Sequence, residues 1–401
     1  MQNQYNVPEI IIKTVETLIK AGFEAYLVGG CVRSLMLHSM PGGRQVKPKD
    51  WDITTNAKPH QIQKLFKKAI YENKFGTVAV INESVDDPTL KTVEITPYRL
   101  ESKYSDKRRP DQISFTKNIE DDLKRRDFTI NAMALGILNL KSQISKPQIK
   151  TENLKLIDLF EGQKDLKSKI IRTVGNPDDR FNEDALRVLR AIRLATELDF
   201  NVSHETKTAI KKYAHSLTSI AQERVKDEFI KIIMSEKPEK GLELMRNLGV
   251  LKYVIPELED GYKVEQNKAH KFNVWEHNLL SLKHAASKKW PMEIRLASLL
   301  HDVGKPLTRR WNKEKKDWTF YGHDVVGAKM SAKTLSRLKF PKKTIDLIAK
   351  LIRYHLFFSD TEKITLSAVR RIVRNVGPEN VWDLMKVRFA DRIGMGRPKE
   401  T

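Results

Sequence analysis

A chain of 401 residues with 40% hydrophobic and 31% charged side chains is long enough for two or three domains with proper cores. Its formal net charge of +22 favours a polyanionic partner, most simply nucleic acid, although lysine-rich composition can also reflect genome base bias. The single cysteine, Cys31, excludes an internal disulfide, and the sequence has neither a secretory signal pattern nor an apolar run of membrane-spanning length. We therefore expect a cytoplasmic protein that does not associate with a membrane.

The first predicted elements indicate an α/β arrangement. Residues 8–20 carry apolar side chains at helical spacing, and residues 24–28 form a short apolar run that ends at Gly29 and Gly30. Helical spacing returns at residues 32–37, so the two glycines lie at a strand-to-helix turn. Backbone N–H groups at such a turn can face an anion.

Two aspartates follow after a polar loop. Asp50 and Asp52 flank Trp51 in an extended segment, and side chains two residues apart on a strand share one face. Paired carboxylates are hard oxygen ligands that suit Mg²⁺, which stabilises charge at the attacking and leaving oxygens of phosphoryl transfer. Each motif alone is common at ordinary turns and strands, but their order and spacing favour a phosphoryl-transfer site.

The segments GGCVR and KDWDITT, at 29–33 and 49–55, resemble the polymerase beta-type nucleotidyltransferases. The similar branch contains the bacterial tRNA nucleotidyltransferases and the bacterial poly(A) polymerases. This resemblance implies that Gly29, Gly30 and Arg33 contact the nucleotide. The sequence departs from the family at Ser34, where an aspartate usually follows the arginine.

Residues 76–81 and 92–98 predict a strand pair, with Glu94 in the second strand. Sites of the similar family often take a third carboxylate from a neighbouring strand, whereas a strand glutamate is otherwise often just exposed. The polar segment 100–112 contains Lys107, Arg108 and Arg109 and has the composition of a solvated loop. By resemblance it corresponds to a flexible loop involved in the switch from adding C to adding A.

A second motif, DDLKRRDFTINAMA, occupies residues 121–134. An amphipathic helix would explain the spacing of its apolar residues but not its paired arginines. Guanidinium groups suit triphosphate oxygens because they stay charged and can bind two oxygens at once. The motif is similar to that of the family, which implies that Arg126 contacts the nucleotide and that Asn131 contacts its sugar or the metal side.

A third motif, EDALRVLRAIRL, predicts a helix over residues 183–194. Its arginines recur every three residues along one face, and Asp184 lies one turn from Arg187, as in an ordinary salt-bridged helix. The motif also resembles the family's protein template, in which an Asp and an Arg read C and A without a nucleic acid template. By that resemblance Asp184 and Arg187 select the base, and Arg190 and Arg193 help to bind the nucleotide.

The last third of the chain carries histidines and aspartates that resemble the HD phosphohydrolase superfamily. Imidazole and carboxylate ligands together suit Mn²⁺, Ni²⁺ or Fe²⁺, which can activate water against a phosphate ester. Some domains of this type keep only the fold. The implied ligands are His277, His301, Asp302 and Asp391, with His323 and His355 as further candidates.

Together, the motifs imply an α+β fold: a polymerase beta-type nucleotidyltransferase head with a mixed sheet and helices, followed by an all-helical neck, body and HD domain. The implied activity builds or repairs the 3′-terminal CCA of tRNA from CTP and ATP, with Mg²⁺ on Asp50 and Asp52 and no obligate protein partner. We expect the head at residues 1–160, the neck and body at 161–258, and the HD domain at 259–401.

Other functions are compatible with the same motifs. A bacterial poly(A) polymerase shares all three, although the segment NKFGTV at 73–78 resembles the CCA-adding form more closely. Enzymes that add only CC or only A are further alternatives. A different class of function would combine a degenerate RNA-binding head with an active HD phosphodiesterase.

Overall fold

The structure, a computed structural model, divides the chain into two units. The first comprises Met1–Arg187 and Asn201–Ala209, and the second comprises Val188–Phe200 and Ile210–Thr401. Among the residues that it describes, no helix is both long and apolar enough to span a membrane. The predicted basic residues Lys107, Arg108 and Arg109 and the segment 73–75 lie outside the described residues. The described ranges are 4–40, 47–48, 50–71, 76–83, 85–102, 112–139, 148–268, 270–357 and 364–396.

The first unit combines short strands with short helices. Its strands are β1 (Gln4–Asn6), β2 (Ala25–Val28), β3 (Asp52–Thr55), β4 (Ala69–Tyr71), β5 (Val78–Ile81), β6 (Thr92–Pro97), β7 (Arg99–Ser102), β8 (Gln112–Phe115), β9 (Met133–Ile137), β10 (Gln148–Lys150), β11 (Leu154–Asp158), β12 (Ile170–Ile171) and β13 (Asn201–Val202). Its helices are α1 (Glu9–Lys20), α2 (Gly30–Ser39), α3 (Pro59–Leu65), α4 (Ile119–Lys124), α5 (Gly162–Ser168) and α6 (Pro177–Glu183).

Seven of these strands form one mixed sheet in the order β11-β9-β2-β3-β6-β5-β4. All neighbouring pairs are antiparallel except β3 and β6, which are parallel. The register places Val28 opposite Asp52 on one side of β3 and Glu94 opposite Asp52 on the other. The sheet therefore brings the end of β2, where the Gly-Gly turn begins, next to the predicted carboxylates.

Local patterns predict several of these elements correctly. The apolar residues Ile11, Val15 and Leu18 of α1 are buried, as their helical spacing predicts. A continuous amphipathic helix over 121–134, in contrast, is wrong. Helix α4 ends at Lys124, a short 3₁₀ turn follows, and residues 133–137 form a central strand between β2 and β11.

In its described residues, the second unit is helical apart from its loops and one hairpin. Helices α7 (Leu186–Leu198) and α8 (His204–Tyr213) cross the division between the units. The hairpin comprises β14 (Arg310–Asn312) and β15 (Asp317–Thr319), paired antiparallel. The remaining helices are α9 (Gln222–Ile233), α10 (Pro238–Asn247), α11 (Leu251–Val254), α12 (Val274–Ser287), α13 (Met292–Leu300), α14 (Lys305–Thr308), α15 (His323–Arg337), α16 (Lys342–Tyr354), α17 (Leu366–Val376) and α18 (Val381–Gly394).

Candidate active sites

The turn between β2 and α2 depends on its glycines. Gly29 has φ of 74°, a conformation that L side chains rarely adopt. A Cβ on Gly29 would lie 3.2 Å from Asp52 Oδ2 and 3.5 Å from Arg126 Nη1, and one on Gly30 would lie 3.4 Å from Asp50 Oδ1. The absence of side chains at the turn therefore lets two carboxylates and an arginine approach the backbone.

We expect Gly29→Ala to destabilise the protein by roughly 1–3 kcal/mol, because alanine must adopt a positive φ and crowd Asp52. Urea unfolding of the two proteins measures this difference. Gly22→Ala is a control for φ alone, since Gly22 has φ of 86° and a Cβ there meets nothing within 4 Å. The nucleotide addition that the sequence motifs imply should fall in Gly29→Ala but not in Gly22→Ala. An equal loss of activity in both variants would contradict a role for the close approach of Asp52 to Gly29.

Three carboxylates converge near this turn. Burial and the neighbouring charges of Asp50 and Glu94 raise the pKa of Asp52 to about 7, although Arg126 opposes this shift. Repulsion between these three carboxylates indicates that Arg126 supplies too little positive charge to balance them. The oxygen donors present fit a divalent cation such as Mg²⁺, which would compensate the excess negative charge.

The predicted nucleotide arginines are held by neighbouring polar groups. Arg33 donates to Asn131 Oδ1, and Asn131 Nδ2 donates to Asp127 Oδ1 at 3.3 Å. Ser34, which stands where the similar family usually has an aspartate, is buried. In this chain Asn131 therefore orients Arg33 directly, in addition to any contact that it makes with a nucleotide.

The predicted continuous helix over 183–194 is wrong at its start. Helix α6 ends at Glu183, Asp184 is extended with φ of −140°, and α7 begins at Leu186. Asp184 Oδ1 accepts from the Leu186 backbone N–H at 3.0 Å, so it caps α7 instead of lying within it. Asp184 and Arg187 are nonetheless close in space, because the Arg187 backbone N–H donates to the Asp184 carbonyl at 3.0 Å.

Arg187 is attached to the second motif. The residue is 8% exposed, and its guanidinium pairs with Glu183 at 2.5 Å and donates to the Arg125 carbonyl at 3.2 Å. This hydrogen bond anchors the third motif on Arg125, the residue that precedes Arg126.

Arg190 and Arg193 belong to the second unit. Arg193 lies 2.7 Å from Glu228 and 3.4 Å from Glu197. Their role in nucleotide binding stays a prediction of the sequence.

The histidines and aspartates of the second unit converge as one buried cluster. Three of the imidazoles share one orientation: Nδ1 lies near the carbonyl three residues earlier, at 2.9 Å for His301, 2.7 Å for His323 and 2.6 Å for His355. An Nδ1–H donated to a backbone carbonyl leaves Nε2 with a free lone pair, which is the tautomer that metal-bound histidines use. These Nε2 atoms face the cluster.

Asp302 lies between two pairs of histidines. Its Oδ2 is 3.1 Å from His277 Nε2 and 3.4 Å from His301 Nε2. Its Oδ1 is 3.2 Å from His323 Nε2 and 3.8 Å from His355 Nε2. The two candidate ligands that the sequence offered as additional, His323 and His355, therefore belong to the same cluster.

Asp391 lies beside the pair formed by His277 and His301. Its Oδ1 is 3.3 Å from His277 Nε2 and 3.5 Å from His301 Nε2. Burial disfavours a charged His301, but Asp302 and Asp391 outweigh burial and raise the pKa of His301 to about 10. The charges of these two buried carboxylates are balanced by Lys305, 2.5 Å from Asp302, by Arg388, 2.7 Å from Asp391, and in the metal-free protein also by a proton on His301. The donor set fits a borderline divalent metal in its place.

Sequence patterns missed three polar neighbours of this cluster. Lys305 Nζ lies 2.5 Å from Asp302 Oδ2 and donates to Gln266 Oε1 at 2.6 Å. His270 lies 3.4 Å from the same ammonium group. The three-residue spacing from Asp302 to Lys305 was visible in the sequence, whereas Gln266 and His270 come from a loop with no local signal.

A cavity of about 410 Å³ opens onto the cluster. Its lining combines the metal-type ligands with cationic and aromatic side chains from α14, from the hairpin and the residues after it, and from α18. These include Lys305, Lys315, Arg388, Trp318 and Tyr321. A small phosphate ester would find both positive charge and an apolar surface there.

Three segments match known families. Residues 25–172 match the "Poly A polymerase head domain", residues 199–261 the "Probable RNA and SrmB- binding site of polymerase A", and residues 274–394 the "HD domain". The matches follow the chain in the order that the sequence motifs predict.

Relatives of one kind match part of the chain. The chain is 41% identical over 252 residues to a CCA-adding enzyme of Ligilactobacillus salivarius, covering 62% of this chain and 55% of the relative. A CCA-adding enzyme of Lactobacillus helveticus is 44% identical over 230 residues, covering 56% and 51%. The chain spans about half the length of the curated relatives that it matches.

Solved structures agree with the fold. The Bacillus stearothermophilus CCA-adding enzyme in complex with CTP superposes with a TM-score of 0.68 at 26% identity, covering 96% of this chain and 78% of that one. The Thermotoga maritima CCA-adding enzyme complexed with tRNA shares the fold, with a TM-score of 0.57 at 19% identity, covering 96% and 78%. The chain thus matches a poly(A) polymerase head domain, an RNA-binding segment and an HD domain in this order, and the relatives and solved structures described here, to which it is similar, are CCA-adding enzymes.

Proposed function

We propose that the protein is a tRNA nucleotidyltransferase that adds or repairs the 3′-terminal CCA of tRNA from CTP and ATP. The observation that carries this proposal is the convergence of Asp50, Asp52 and Glu94 on the Gly29–Gly30 turn. Its relatives with established names are CCA-adding enzymes. We place the activity in the cytoplasm, where tRNA and nucleoside triphosphates are found together.

In this proposal Asp50 and Asp52 hold Mg²⁺, with Glu94 as the third carboxylate of the site. Bound Mg²⁺ would supply positive charge at the attacking 3′-oxygen and at the leaving pyrophosphate. The turn at Gly29 leaves room for the substrate beside the carboxylates. Arg33 and Arg126 bind the triphosphate oxygens.

We further propose that Asp184 and Arg187 select the incoming base. A carboxylate and a fixed guanidinium can bond the edges of C and A, and a wrong base leaves buried polar groups unpaired. The anchoring of Arg187 on the Arg125 carbonyl supports this role, because it fixes the guanidinium beside the triphosphate motif. Residues 1–160 would act as the head and residues 161–258 as neck and body, with RNA binding among their roles.

The second proposed function is metal-dependent phosphohydrolysis by the HD domain, residues 259–401. The observation that favours it is the cavity that opens onto the buried cluster. His277, His301, Asp302 and Asp391 would hold Mn²⁺, Ni²⁺ or Fe²⁺. A metal bound there would supply an activated water.

The first function is tested by incubating the purified protein with tRNA that lacks CCA, Mg²⁺, and CTP, ATP or both. Product length is read at single-nucleotide resolution. We expect CC from CTP alone and CCA from the mixture. A long A tail would instead indicate a poly(A) polymerase. Addition of a single A to a second substrate, tRNA that already ends in CC, without extension of the tRNA that lacks CCA, would indicate an A-adding enzyme. No extension of either substrate would contradict the proposal.

A further inference from the structure

A buried carboxylate lies behind the proposed triphosphate arginine. Asp122 is fully buried, and its two oxygens face different guanidinium groups. Oδ2 accepts from Arg126 Nη2 at 3.0 Å, and Oδ1 accepts from Arg125 Nε at 2.9 Å. Burial alone would raise the pKa of Asp122, but the two arginines outweigh burial and lower it, so the side chain is a carboxylate at neutral pH.

The contact with Asp122 uses only one end of the Arg126 guanidinium. The other end, Nη1, lies at the glycine turn, where a Cβ on Gly29 would be 3.5 Å from Nη1 and 3.2 Å from Asp52 Oδ2. Arg126 Nε is buried and has no hydrogen-bond acceptor among the described residues. A planar guanidinium fixed at one end by a carboxylate presents its other donors in a defined direction.

Asp122 also contacts the strand that carries Asp52. Thr54 Oγ1 lies 3.3 Å from Asp122 Oδ2 and 3.1 Å from the Thr96 carbonyl, and its one proton can be donated to either acceptor. Thr54 follows Asp52 by two residues on β3, so both side chains are on the same face of the sheet. One buried carboxylate therefore touches both the proposed metal-binding strand and the proposed triphosphate arginine.

We propose that Asp122 is a positioning residue for nucleotide binding: its carboxylate holds Arg126 in the orientation that meets the triphosphate of either CTP or ATP. This inference rests on the nucleotidyltransferase function proposed above. Because the triphosphate is common to both nucleotides, loss of the carboxylate weakens both equally and leaves base selection unchanged. A contact that is equal in the ground state and the transition state changes KM and not kcat.

Asp122→Asn tests the proposal, because asparagine keeps the shape of the side chain and removes its charge. We expect the KM values for CTP and ATP each to rise about tenfold, with kcat changed less than about threefold. Asp121→Asn is the matched control. Asp121 is adjacent on α4, and its Oδ2 accepts from Thr116 Oγ1 at 2.8 Å. With this control both constants should stay within about twofold of wild type.

A double-mutant cycle with Arg126→Ala separates positioning from a structural role. If Asp122 acts through Arg126, Asp122→Asn should change KM by less than about twofold once Arg126 is absent. Multiplied effects in the double variant would overturn the proposal. A merely structural role predicts less folded protein in thermal unfolding but an unchanged KM for the fraction that folds.

A second variant covers the case in which Asp122→Asn does not fold. The single change leaves Arg125 with one acidic partner fewer, whereas D122N/R125M removes an acid and a base together. This double variant is compared with R125M alone, and the same tenfold rise in KM between them is expected. Equal KM values in the two variants would overturn the positioning role.

Calorimetric titration of CTP, with Ca²⁺ in place of Mg²⁺, distinguishes failure of this inference from failure of the proposed function. Weaker CTP binding by Asp122→Asn than by wild type supports the positioning role, even if wild type extends no tRNA. Equal binding by both proteins overturns the positioning role, even if wild type adds CCA. Absence of CTP binding by folded wild-type protein overturns both.

Discussion

Asp52→Asn should lower kcat for nucleotide addition by about a thousandfold, while it makes the metal-free protein more stable above pH 7. The loss follows because asparagine cannot supply the charged oxygen ligand that the proposed site needs. The gain in stability follows from repulsion, since Asp52 is buried beside Asp50 and Glu94 and its pKa is raised to about 7. The same substitution is therefore expected to lower activity and to raise the free energy of unfolding.

The direction of the pH effect follows from proton binding. Between the ordinary pKa of 3.8 and the folded-state pKa of about 7, the folded protein binds more protons at Asp52 than the unfolded chain does. The favourable contribution of protonated Asp52 is therefore complete below pH ~4 and lost as the pH rises through ~7. At roughly 1.4 kcal/mol per pKa unit, the difference approaches 4 kcal/mol.

Urea unfolding of wild type and Asp52→Asn in a chelator, from pH 4 to pH 8, measures this difference. The gap between the two free energies of unfolding should grow in favour of the variant as the pH rises. Added Mg²⁺ should stabilise wild type at pH 8 and leave the variant unchanged. A gap that does not depend on pH would contradict repulsion at Asp52, and full nucleotide addition by the variant would contradict its assignment as a catalytic carboxylate.

The head shows which parts of a site local sequence patterns can predict. The alternation of Asp50, Trp51 and Asp52 predicts that both aspartates face one way, because side chains alternate along a strand. In the structure β3 begins only at Asp52, but both side chains approach the Gly29–Gly30 turn. The neighbourhood of Glu94 depends on the parallel pairing of β3 with β6, which are about 40 residues apart in the chain. No periodic pattern in the sequence predicts this strand pairing. The role of Glu94 was therefore predicted from the resemblance to a family.

The second motif shows the limit of pattern reading. Asp122 and Arg126 are four residues apart, which on a long helix would indicate a surface ion pair. In the structure the helix ends at Lys124 and Asp122 is fully buried. Burial of a short helix end depends on the structure that packs against it, so the sequence alone did not distinguish Asp122 from its half-buried neighbour Asp121.

The histidine cluster was predictable in composition but not in geometry. Each of His301, His323 and His355 lies near a backbone carbonyl three residues earlier, which is a local feature of helix ends. The position of Asp302 between two histidine pairs, however, requires several helices of the second unit to meet. Such a meeting point is a property of helix packing, and neither spacing nor residue type determines it.

Asp302→Ala should abolish metal binding by the HD domain, because it removes the carboxylate that both histidine pairs face. We expect bound Mn²⁺ or Ni²⁺, measured by elemental analysis after loading and gel filtration, to fall at least tenfold, and hydrolysis of bis(p-nitrophenyl) phosphate to fall by about a hundredfold. His284→Ala is the control, since His284 is on the same helix as His277 and packs against Trp290 and Phe389 instead. Far-UV circular dichroism and thermal unfolding of the two variants check that the helices around the cluster remain folded.

The same cluster predicts how metal affinity depends on pH. In the metal-free protein the pKa of His301 is about 10, because Asp302 and Asp391 outweigh burial, so a metal must displace a proton from His301 throughout the neutral range. Affinity should therefore rise about tenfold per pH unit between pH 6 and pH 8, with about one proton released for each metal bound. Titration in buffers of different ionisation enthalpy measures that proton. Affinity that is independent of pH would show that the metal does not replace a proton of His301, and would contradict the protonation of His301 in the metal-free protein.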